Sequence, residues 1–114
     1  MPSTAPDASV RRTARPLRVL SGDEPRASAT QFSECVRTVV TVARRRGLRP
    51  PAFRSPPRLA GVDRSIQRRR NGTVTVAVRR GERPFAAIQA DIIEGVIAAN
   101  RLSGEPADRF RRAA

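Results

Sequence analysis

Histidine, lysine, tryptophan and tyrosine are all missing from this chain of 114 residues. Without His, catalytic triads, HExxH zinc sites and imidazole general bases are excluded. A single cysteine, Cys35, rules out an internal disulfide, so an oxidising compartment has left no mark. Four Phe are the only aromatics, so apolar burial must come from Val, Ile, Leu and Ala. No window approaches the ~18 apolar residues of a membrane span. The N-terminus lacks the apolar run of a signal peptide, and Pro2, Pro6 and Pro16 argue against an amphipathic transit helix. The expected location is the cytoplasm, with no membrane partner.

Little else supports catalysis. Cys35 falls on the apolar stripe of a helix, where a core thiol is expected rather than an exposed nucleophile. Asp91 and Glu94 are neighbours on a helix face, a pattern that suits ion pairs with Arg better than a metal. Gly72 and Gly81 sit in turns, and no phosphate-cradling glycine loop exists. The expectation is a non-enzymatic protein with no catalytic residues, no metal and no cofactor.

What is abundant is arginine. All 23 basic residues are Arg, against 10 acids, for a net charge of +13. Exclusion of Lys points to a GC-rich bacterial genome, because Arg codons are GC-rich. Codon bias explains the identity of the cations but not their excess. Nor does it explain their clustering. Residues 37–70 hold eleven Arg and only one acid, Asp63, whereas residues 85–114 hold four of each. A basic patch of this kind favours acidic partners, nucleic acid above all.

The pattern along the chain predicts an α+β fold. Residues 1–14 lack periodicity and read as a disordered tail. Residues 15–114 read as one small domain, and 17–20 is a candidate third strand. Ser28 and Gln31 fit a capping box. Phe32, Cys35, Val36, Val39 and Ala43 then recur at helical spacing, giving an amphipathic helix over 29–46 that ends at Gly47. Two Pro-Pro pairs make 48–63 an extended crossing loop.

Val74, Val76 and Val78 alternate with smaller residues, the period of a half-buried strand, and Asn71-Gly72 marks a hairpin. A two-residue loop would place Ile66 opposite the valine face. A three-residue loop over 70–72, with Gly72 left-handed, pairs Ile66 with Val76 and Arg68 with Val74. Burial therefore favours the longer loop, with strands 64–69 and 73–80. The outer face then carries Ser65, Gln67, Arg69, Thr73, Thr75, Ala77 and Arg79.

A second helix over 84–101 has an unusually wide apolar face, with Phe85, Ile88, Ile92, Val96 and Ala99 flanked by Ile93 and Ile97. Gly95 at its middle suggests close backbone approach. A short helix from about 105 brings Phe110 back to the core. With a strand at 17–20, the β-α-β-β-α order invites comparison with ferredoxin-like RNA-binding modules. However, TVTVAV lacks their aromatic motif and a helix replaces their last strand, so no family is assigned.

The functional expectation is nucleic-acid binding, RNA or DNA, through phosphate contacts of Arg44, Arg45, Arg46, Arg49, Arg68, Arg69, Arg70 and Arg79. Sequence specificity should be low, since stacking aromatics are absent. The alternative is a protein-interaction module, binding an acidic protein or forming a homodimer through the wide face of helix 84–101.

Overall fold

The structure is a computed structural model that describes residues 29–114. The expected tail at 1–14, the candidate strand at 17–20 and the capping residue Ser28 lie outside the described residues. Within them the order is α1 (Ala29–Arg45), β1 (Ala52–Arg54), β2 (Arg64–Arg68), β3 (Val74–Val78), α2 (Phe85–Ala99) and α3 (Gly104–Ala113). This is an α+β architecture: three helices and one small mixed sheet in the order β1-β3-β2.

The hairpin forms in the register that burial demands. Ile66 faces Val76 and Arg68 faces Val74. The loop is 70–72, closed by Arg69 N–H donating to Thr73 O at 2.9 Å. Gly72 takes φ +87°, a conformation that only glycine adopts without strain. Asn71 stiffens the tip, its Oδ1 accepting from the Thr73 amide at 3.0 Å and from the Thr73 hydroxyl at 2.7 Å. Val76 and Val78 are fully buried, as one apolar strand face against helices requires.

A third strand lies where a loop was expected. Residues 52–54, inside the segment read as a crossing loop, pair in parallel with β3 and make it the central strand. A three-residue strand is too short to show a period in the sequence. Pro50-Pro51 and Pro56-Pro57 confine it to an edge position, where missing amide donors are tolerated. Phe53 pairs with Val76 and is half-buried. Promotion of β3 to the centre also corrects the expected outer face. Ala77 stands on that face by alternation, yet it is buried, a small side chain flanked by Arg54 and Ser65 in the neighbouring strands.

Helix α2 organises the packing, lying against α1, β2, β3 and α3. This accounts for its wide apolar face within the chain: Ile88, Ile92 and Val96 are fully buried, Ile97 nearly so, and Ile93 packs half-buried on the core. α1 contributes Phe32, Cys35, Val39 and Ala43 to the same cluster, and α3 contributes Ala107 and Phe110. The Cys35 thiol is buried, and desolvation pushes its pKa above the ordinary thiol value, which suits an inert core group. Val62 is the one large hydrophobic residue left exposed among the described residues.

Candidate nucleic-acid interface

Three segments far apart in sequence meet at one end of the molecule. α1 and α2 place their C-termini side by side, tied by Asn100. Its Oδ1 accepts from the Arg49 amide at 2.9 Å, and its Nδ2 donates to the Arg49 carbonyl at 3.0 Å. The hairpin tip joins them through Arg68, whose guanidinium donates to the Ala99 carbonyl at 3.3 Å and also to that of Ala98. Arg44, Arg45 and Arg46 are within five residues of Arg49 along the chain, so they belong to this pole.

The pole is basic throughout. Residues 43–52, 66–74 and 98–102 hold Arg44, Arg45, Arg46, Arg49, Arg68, Arg69, Arg70 and Arg101, with no carboxylate; Arg54, opposite Ala77, lies toward the open end of the hairpin. All eight are exposed. Among the described residues none of them shares an ion pair. Part of this charge is structural. Each helix C-terminus carries roughly half a negative charge, which nearby cations complement, and Arg68 directly satisfies the last carbonyls of α2. Arg44 and Arg45, in the last turn of α1, suit the same role; among the described residues only Arg68 of this group spends its guanidinium on a protein hydrogen bond.

Arg101 was not legible as a member of this group. It is an isolated arginine in a neutral segment, and only the Asn100–Arg49 contact carries it to the pole. It adopts φ +54° at the end of α2. Its own amide donates to Ala98 O, and the Leu102 amide donates to Ile97 O, so a Schellman-type ending places Arg where glycine is usual. A non-glycine residue there costs about 1–2 kcal/mol.

Arg79 does not join them. It sits at the open end of the hairpin, with Nε 2.9 Å and Nη2 2.5 Å from Asp63 Oδ1. That hydrogen bond, with the charge of Arg83, holds the Asp63 carboxyl below the usual carboxylate range. Arg83 is 3.6 Å from Asp63 and 2.5 Å from Asp91 Oδ2, the latter an ion contact without hydrogen-bond alignment. Arg64 completes the chain of charges, 2.9 Å from Asp91 Oδ1. The carboxylates of α2 are thus engaged by arginines, Asp91 here and Glu94 by Arg111, as their sequence setting implied.

Glu94 accepts from Arg111 Nε at 2.6 Å and Nη2 at 3.0 Å, a bidentate pair that ties α3 to α2. This hydrogen bond lowers the Glu94 pKa. A carboxyl depressed in the folded state stabilises above its unfolded pKa of ~4.3, and that stabilisation is lost as pH falls through the folded value. Urea unfolding should therefore show a midpoint that drops on acidification below about pH 4. Glu94→Gln is expected to lower the midpoint at neutral pH and to flatten part of this acid limb. An acid limb as steep as that of the wild type would show that the pair contributes nothing.

Between the hairpin tip and the start of β1 lies a cleft of about 410 Å³, lined by Arg49, Pro50, Pro51, Arg68, Asn71 and Asn100 among others. The pole therefore combines exposed guanidinium groups, outside every ion pair among the described residues, with a concavity between the hairpin tip and β1. No protein-family model, no curated protein and no solved structure matches this chain, so the reading of the pole stands on its own residues.

Proposed function

We propose that the protein binds nucleic acid through arginine–phosphate contacts at this pole, with little preference for sequence. The observation that carries the reading is the separation of charge. Every ion pair among the described residues involves Arg64, Arg79, Arg83, Arg111 or Arg112. Among the described residues, none of the eight arginines of the pole forms an ion pair. Arginine forks suit bidentate phosphate contacts. The strained backbone at Arg101 supports the same reading, since a cation is kept where glycine would sit more easily. The protein-partner alternative has less support, because the apolar face of α2 is used inside the chain and Val62 stands alone.

Salt-dependent fluorescence anisotropy with duplex DNA and single-stranded RNA tests this. Arg69→Gln, Arg70→Gln and Arg101→Gly form the informative set, because Arg68 also holds α2 and its loss would confuse folding with binding. Each true contact removed should lower the log–log salt slope by about 0.9 on duplex or about 0.7 on a single strand. Affinity for unrelated sequences should fall by similar factors. Weak binding, equal for heparin and gone near physiological salt, would overturn the proposal.

A further inference from the structure

The cleft at the basic pole has a definite cause. β1 joins β3 only from Ala52 opposite Thr75, although β3 begins at Val74 and its lead-in, Thr73, already bonds to Arg69 of the hairpin. The two residues before Ala52 are Pro50 and Pro51, which have no N–H with which to continue the ladder. The hairpin tip therefore overhangs the end of β1 and leaves a notch. Its volume of about 410 Å³ falls in the range of small-ligand pockets, about 300–1,000 Å³.

The groups around the notch define what it accepts. Asn100 is fully occupied by Arg49 and Val96. Asn71 uses its oxygen on Thr73, which leaves its amide N–H₂ without a partner among the described residues. The Arg49 guanidinium is exposed and outside every ion pair among those residues. The unspent side-chain groups of Arg49 and Asn71 are thus donors, and the half-buried Pro50 ring supplies rigid apolar surface, Pro51 being itself buried. A ligand rich in acceptors with one flat apolar face matches this set. A duplex cannot supply that face, because its bases are stacked and paired.

Building on the proposed function, we infer that the notch holds one unpaired nucleotide of a single strand. The base lies against the Pro50 ring and accepts from the Asn71 amide, and its phosphate meets Arg49. Base identity matters little, because every base offers a flat face and acceptor atoms.

The test compares the full chain's affinity for a thymidine homopolymer with that for an abasic strand of equal length and charge. The homopolymer should bind about fivefold more tightly, which is what burial of roughly 40 Å² of apolar surface contributes at about 25 cal/mol per Å². Ala52→Leu, which narrows the notch without changing charge, should remove that difference. Its affinity for the abasic strand and its salt slope should stay as in the wild type. Equal binding of both strands by the wild type, at a salt concentration where both bind well, would overturn the nucleotide site and leave the phosphate reading standing. Failure of both strands to bind better than heparin would overturn both. Should Ala52→Leu fail to fold by circular dichroism, the wild-type comparison of the two strands still decides.

Discussion

Gly95→Ala is expected to destabilise the protein, against the direction that helix propensity dictates. In an exposed helix interior the exchange gains about 1 kcal/mol. Here a Cβ would lie 2.9 Å from Val76 Cγ1 and 3.0 Å from Phe53 Cε1. Val76 is fully buried in the central strand, so it has no free volume into which to move. Overpacking of this kind costs about 1–3 kcal/mol. The clash should outweigh the propensity gain, for a net loss of about 1 kcal/mol, or roughly 4–8 °C in Tm for a domain of this size. Gly95→Val adds volume and a branched Cβ, and should lose about 2–4 kcal/mol. Urea titration with linear extrapolation measures both. A raised midpoint for Gly95→Ala would mean that α2 does not approach the sheet this closely.

Phe110→Ala should have the largest effect of any single truncation. Phe110 is the bulkiest of the fully buried side chains and anchors the ten-residue α3 to the core. A helix of ten residues does not hold its shape alone in water, so its order depends on this contact and on the Glu94–Arg111 pair. Phe→Ala in a core costs about 3–5 kcal/mol. A small domain has about 5–15 kcal/mol in total. The variant should therefore unfold near physiological temperature, or retain the sheet while α3 loses amide-exchange protection. A cost below about 1 kcal/mol would show that α3 packs without it.

Much of this architecture is legible in the residues alone, for reasons that are local. Phe32, Cys35, Val39 and Ala43 are buried on α1 because a stripe at helical spacing can face only one way. The register of Ile66 against Val76 follows from Asn71-Gly72 and from the rule that one residue of slip exposes an entire strand face. The wide apolar face of α2 correctly implied more than one neighbour. It did not say that α1, α3 and the sheet would all be found within the chain. Clustering of arginine over 37–70 is likewise a property of the sequence.

Other features were decided only in three dimensions. The strand Ala52–Arg54 exists because β3 offers it a parallel edge, and three residues between proline pairs carry no period that could announce it. The burial of Ala77 follows from the same event, which made β3 central. Arg79 and Arg70 are equivalent in the sequence, yet Arg79 reaches Asp63, sixteen residues away, while Arg70 stands at the hairpin tip and forms no ion pair among the described residues. Arg101 enters the basic pole through an Asn100–Arg49 contact that spans 51 residues. The composition determined that this protein would carry a large uncompensated positive charge. Which arginines are neutralised, and which are left free at one pole, depends on long-range contacts formed when the helices pack against the sheet and each other.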